Sequence, residues 1–155
     1  MDNAVTYEDF VVGYTGAFTK TVTLEDNRAF AELSGDLNPV HFDDAVAREL
    51  GFPAAISNGF VTESRVAGAL VRTFGSDQTV VVAMEKNTRF LRPVLMDEEI
   101  TARVEVVGRI EAMRALKIRA GCFNAKGEQV LATQMTILVL PRRRSGSRSR
   151  ARRVF

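Results

Sequence analysis

Two side chains that can move protons, Asp36 and His41, lie close together in the stretch Ser34-Gly-Asp-Leu-Asn-Pro-Val-His-Phe-Asp43. His41 is the only histidine in 155 residues. Asn38 and Pro39 stand between the two groups. Proline fixes its own φ and keeps the residue before it out of the helical region, so the loop is stiff. Two short titratable side chains on one stiff segment can reach a common ligand atom. A neutral imidazole there can take a proton near neutral pH while a carboxyl group returns one or orients a water. Leu33, Leu37, Val40 and Phe42 are expected to keep such a pocket partly dry. The same residues would also suit an ordinary polar turn between two helices, and the spacing alone does not choose.

A second chemical feature follows at Asn58-Gly59, where a long helix is expected to begin. Glycine leaves the backbone N–H groups there uncovered, and the helix dipole adds positive potential. Such a place can polarise a carbonyl oxygen, as acyl chemistry requires. The plainer alternative makes Asn58 an N-cap and Gly59 a packing residue.

The elements that must position these groups can be read from periodicity. Ala17 to Thr23 alternates as a short strand, and Thr23-Leu-Glu-Asp is a capped helix start that Ser34-Gly35 ends. Leu24, Phe30, Ala31 and Leu33 are expected on the apolar side of that helix. Asp43 to Leu50 reads as a second short helix stopped by Gly51. From about Gly59 to Phe74 runs a helix with few polar groups, expected to be buried on most sides. Val80 to Met84, Lys86 to Phe90, Ile100 to Val107, Ala115 to Phe123 and Val130 to Leu140 read as strands. Val104, Val106, Ile118, Ala120, Met135, Ile137 and Val139 are their period-two apolar positions, and Asn124-Ala-Lys-Gly is a hairpin turn. The order implies an α+β domain, with one helix packed on an antiparallel sheet.

Composition narrows the class. Hydrophobic residues make up 46% and charged residues 26%, an ordinary globular balance. The single cysteine, Cys122, excludes an internal disulfide framework, fits a reducing, cytoplasmic setting, and is expected in the core. Residues 142–155 hold seven of the 21 Lys and Arg and no acid, leaving 14 basic against 19 acidic residues before them. The body, 1–141, is thus acidic, and 142–155 is expected to be a flexible tail making at most weak, sequence-independent nucleic-acid contact. The acidic MDNAVTYEDF start has no apolar segment, so no signal peptide is expected, and no apolar run suits a membrane span. No metal-ligand cluster is visible.

With these residues in hand, the chain resembles the MaoC-like dehydratase family, the R-specific enoyl-CoA hydratases of hot-dog fold. Ser34-Gly-Asp-Leu-Asn-Pro-Val-His-Phe-Asp is similar to its D-x-N-P-x-H motif. The Gly-Phe opening of the central helix and Arg89-Phe-Leu-Arg-Pro-Val-Leu-Met-Asp-Glu-Glu-Ile match further segments. The resemblance implies a sheet wrapped round one long helix, with Asp36 and His41 as the catalytic pair. It makes the Gly59 amide the donor to a thioester carbonyl and Asn38 a brace for the loop. The implied reaction is reversible addition of water to a trans-2-enoyl thioester, giving the R-3-hydroxyacyl thioester, with no metal or redox cofactor. Coenzyme A or acyl carrier protein would be the carrier, and the protein would be at least a homodimer. Lys86, Arg89 and Arg92 could meet the phosphates or the acidic face of such a carrier, and solvated strand-edge charges explain them equally well.

Two positions depart from the family pattern. Asn58 stands where histidine is usual, which implies altered substrate preference, and Ala67 stands where serine is often found, leaving Ser64 as a possible substitute. Two other readings compete. One is a hot-dog thioesterase, for which Glu63 on the central helix is the only candidate carboxylate. The other is a non-catalytic acyl-thioester-binding or partner subunit.

Overall fold

Val104, Val106, Ile118, Ala120, Met135, Ile137 and Val139 all point to one side of a single antiparallel sheet and are buried there. The computed structural model describes residues 6–142. The expected tail lies outside the described residues from position 143 onward. The sheet has five strands in the order β1-β3-β4-β5-β2: β1 (Thr15–Thr21), β2 (Thr79–Phe90), β3 (Glu99–Ile110), β4 (Ala115–Phe123) and β5 (Gln129–Pro141). Three helices precede β2: α1 (Leu24–Ser34), α2 (Asp44–Glu49) and α3 (Gly59–Phe74). The helix α3 touches every strand of the sheet. This is the hot-dog arrangement that the resemblance implied.

Local chemistry explains most boundaries. Thr23 caps α1 through a reciprocal box, its hydroxyl accepting from the Asp26 N–H at 3.1 Å while Asp26 Oδ2 accepts from the Thr23 N–H at 3.2 Å. Gly35, at φ 78°, ends the helix in the left-handed region. The same Asp26 carboxylate accepts from Arg65 of α3 at 2.6 Å, so one residue caps α1 and ties it to the central helix. Burial opposes ionisation of Asp26, but hydrogen bonds from Arg65, Thr23 and Lys20 outweigh it and hold its carboxyl below the ordinary value.

Three expectations are corrected. The two segments before and after Glu85 form one strand, β2, because a bulge at Met84 shifts the register without breaking the ladder. A similar shift at Val107 lets β3 continue to Ile110. On α1, Asn27 and Ala31 face inward, and Leu33 is 85% exposed. At about 100° per residue, Leu33 lies roughly 200° round from Ala31, on the opposite face.

α3 is buried largely as expected: Val61, Val66, Ala69, Leu70 and Phe74 all lie in the core. It approaches β1 so closely that a Cβ on Gly68 would sit 2.6 Å from the Phe18 ring. Its outward positions Phe60 and Val71, with Val80 and Met84 of edge strand β2, remain exposed. Among the described residues, no helix is long and apolar enough to cross a membrane.

Candidate active site

The loop that carries Asp36 and His41 is built from local hydrogen bonds. Asp36 Oδ1 accepts from the Asn38 N–H at 3.2 Å, and Asn38 caps the short 3-10 turn Pro39–His41, its side chain accepting from the Val40 N–H at 3.4 Å. Val40 is buried and anchors the loop, its carbonyl accepting from the Ile56 N–H at 3.1 Å. Asn38 therefore braces the turn and does not line the cleft. Of the expected pocket walls, Leu33, on the outer face of α1, Leu37 and Phe42 are exposed, and only Val40 turns inward.

Asp36, His41, Asn58 and Gly59 come together in a cleft of about 420 Å³ at the N-terminal end of α3. Its dry walls come from elsewhere in the chain: Ile56 before the helix, Phe60 on it, Phe90 ending β2, Val94 and Val130. The buried Asn58 side chain works at both of its ends. Its amide nitrogen donates to Asp36 Oδ2 at 2.6 Å, and its oxygen caps α3 by accepting from the Phe60 N–H at 2.9 Å. Asn58 thus is an N-cap, as the plainer reading held, and also holds the loop carboxylate.

His41 Nδ1 lies 2.9 Å from the Ile56 carbonyl oxygen. A carbonyl can only accept, so Nδ1 carries the proton and a neutral ring keeps Nε2 free as an acceptor. Gly59 is the first residue of α3, where the N–H has no acceptor within the helix. A Cβ there would stand 2.6 Å from Phe90 Cε1, so glycine lets that ring close over the helix start. The cleft therefore holds an imidazole nitrogen that can accept a proton, a carboxylate that can orient water, and a backbone donor at a positive helix end.

Other residues singled out in the sequence stand apart from the cleft. The Ser64 hydroxyl donates to the Val61 carbonyl at 2.6 Å, one turn back on its own helix, and the residue lines a different groove. Glu63 lines that second groove, of about 380 Å³, ion-paired to Lys86 at 2.8 Å and receiving the Thr88 hydroxyl at 2.5 Å. Lys86 is thereby engaged, whereas Arg92 stands at the cleft and donates to the Gln129 carbonyl at 2.6 Å. Cys122 is buried, and burial, helped by the negative charge of Glu63, pushes its thiol up to about 12, so it stays a protonated core group. Among the described residues, no cluster of three His, Cys, Asp or Glu is placed to hold a metal.

Residues 14–122 match the family described as the MaoC like domain. Over 137 residues, 88% of this chain and 85% of the relative, the chain is 26% identical to a 3-hydroxybutyryl-CoA dehydratase of Methylorubrum extorquens. Over 133 residues, 86% of this chain and 90% of the relative, it is 26% identical to an (R)-specific enoyl-CoA hydratase of Rhodospirillum rubrum. The solved structure of the (R)-hydratase from Aeromonas caviae superposes with a TM-score of 0.78 at 25% identity, covering 84% of this chain and 98% of that one.

Proposed function

The chain belongs to the MaoC-like domain family, and on that premise we propose that it adds water reversibly to trans-2-enoyl thioesters, giving R-3-hydroxyacyl thioesters. One observation carries this reading: His41, its Nδ1 committed to the Ile56 carbonyl, and Asp36, held by Asn58, line one cleft at the start of α3. In the hydration direction, a water accepts orientation from the Asp36 carboxylate and gives a proton to His41 Nε2 as its oxygen bonds the β-carbon. The displaced electron pair moves onto the thioester oxygen, where the Gly59 N–H receives it. His41 then delivers the proton to the α-carbon as the enolate collapses. Asp36 accepts two hydrogen bonds, from the Asn58 side-chain amide and from the Asn38 N–H, and these fix its carboxyl group at the cleft. The sum is one water added across one double bond, chemistry that requires neither a metal nor a redox cofactor.

The carrier is a coenzyme A or acyl carrier protein thioester, with Arg92 at the cleft to meet its phosphates, while Arg89 is exposed on β2 and does not line the cleft. We place the protein in the cytoplasm, which its single, buried cysteine supports. We further propose a homodimer at least, supported by the edge that β2 leaves unpaired in the sheet, with Val80 and Met84 of that strand exposed. Light scattering should give twice 17.1 kDa or a multiple of it. The hydrolytic alternative has less support, because Glu63 is engaged by Lys86 and Thr88 in another groove.

The reaction is tested by following the enoyl absorbance of crotonyl-CoA and resolving the product by chiral chromatography. Loss of the band with formation of the R-alcohol is expected. An unchanged band, or the S-alcohol, would refute the proposal.

A further inference from the structure

A polar side chain on the inner face of a helix needs a reason, and Asn27 of α1 is 1% exposed. Its neighbour one turn on, Ala31, is apolar and packs inward as expected. All hydrogen-bonding groups of the Asn27 amide are used, and all on the segments that form the cleft. Nδ2 donates to the carbonyls of His41 and Ile56, each at 3.4 Å, with Met96 Sδ at 3.8 Å. Oδ1 accepts from the Asn58 N–H at 3.1 Å and from the Ser57 hydroxyl at 3.4 Å. The orientation of the amide is forced. Two acceptor-only carbonyls face one end and a backbone N–H faces the other, so a flipped amide would oppose like groups at three contacts.

These contacts converge on atoms that govern the proposed proton carriers. The Ile56 carbonyl is the acceptor that fixes Nδ1–H on His41. The Asn58 backbone, pinned by Asn27, carries the side chain that holds Asp36. The His41 carbonyl and the Ile56 carbonyl, from two separate segments, are held to one amide. Without Nδ2 the Ile56 carbonyl loses one of its two side-chain donors, and the peptide is free to turn from the imidazole.

We propose that Asn27 is a positioning residue that sets the His41 tautomer by holding the Ile56 carbonyl and fixes Asp36 through the Asn58 backbone. This rests on the hydratase reading for its effect on rate, but its structural half does not. Asn27 itself does not line the cleft.

The single histidine makes the test unusually direct, because every imidazole signal belongs to His41. Two variants are compared with wild type by long-range proton–nitrogen NMR: Asn27→Asp, which keeps the shape but turns an acceptor on the two carbonyls, and Asn27→Leu, which keeps the volume alone. Wild type should show Nδ1 protonated and Nε2 bare at a pH where the ring is neutral. Folded variants should show a mixed or reversed tautomer. In crotonyl-CoA hydration their kcat should fall about tenfold or more, with KM changed less than about twofold, because orientation and not binding is lost. Asn27→Asp gives the reading if Asn27→Leu does not fold. A folded variant that keeps the wild-type tautomer, or keeps kcat, would overturn the proposal. The NMR reading needs no turnover, so a wild type that fails to hydrate crotonyl-CoA would refute the proposed reaction and leave the tautomer test in force.

Discussion

Asp36, on a loop held against the N-cap of α3, and Glu63, on the first turns of that helix, are carboxylates that the fold uses in opposite ways. Asp36 sits on a loop, half-buried, held by the Asn58 amide and the Asn38 N–H and open to a cleft that also holds an imidazole. Glu63 is 7% exposed and closed off by a lysine and a threonine, with no histidine near it. Neutral donors leave a carboxylate free to take a further hydrogen bond from water or substrate. A salt bridge and a hydroxyl leave it little more than a structural anchor. Burial alone would have chosen Glu63 as the functional acid. Its partners decide against it.

The comparison can be broken at its strongest point first. His41→Ala and Asp36→Ala should each lower crotonyl-CoA hydration by at least about 10²-fold, the scale of general acid–base contributions. Circular dichroism should show both folded, since neither side chain belongs to the core cluster. Rates within about threefold of wild type in folded variants would reduce the loop to a turn. Asn58→Ala comes next. It removes the amide that holds Asp36 and the cap of α3, so kcat should fall about tenfold and stability about 1 kcal/mol. A drop in stability with an unchanged rate would make Asn58 a cap alone.

Glu63→Gln sharpens the other side. The amide can still receive the Thr88 hydroxyl but loses the half-exposed Lys86, so urea unfolding should show a loss of about 1 kcal/mol or less, with the hydration rate kept within about twofold. The smallest effect belongs to acid. The Asp26 carboxyl is held below its ordinary value of 3.8 in the folded chain, so the stability it contributes is complete above that value. That stability is lost as pH falls through the lowered folded value, and Asp26→Asn should remove this part of the acid dependence in unfolding curves.

What was legible in the sequence followed from rules that act over a few residues. The Thr23–Asp26 box, the stops at Gly35 and Gly51, the start of α3 at Gly59 and the alternation in β3 to β5 all appear where those rules put them. That Asp36, His41, Asn58 and Gly59 could form a candidate site was readable through a stiff loop and a helix start, and they line one cleft. The walls of the cleft were not. Phe90, Val94 and Val130 reach it only because β2 and β5 pair beside α3, a register that composition does not carry. The choice of Leu33 and Leu37 failed for the same reason, since proximity in sequence to the loop is not proximity to its inner side. Asn27 did leave a signal: a polar residue four before Ala31 on the helix face that packs inward. Its meaning needed the carbonyls of His41 and Ile56, which no local pattern brings to it.

The central claim, that Asp36 and not Glu63 is the working carboxylate, is tested most directly by one paired assay. Wild type, Asp36→Asn and Glu63→Gln are each given crotonyl-CoA while enoyl absorbance and free thiol are recorded together. The account predicts that wild type and Glu63→Gln bleach the enoyl band without releasing thiol, and that Asp36→Asn does neither. Thiol release by wild type that survives Asp36→Asn and disappears in Glu63→Gln would contradict it.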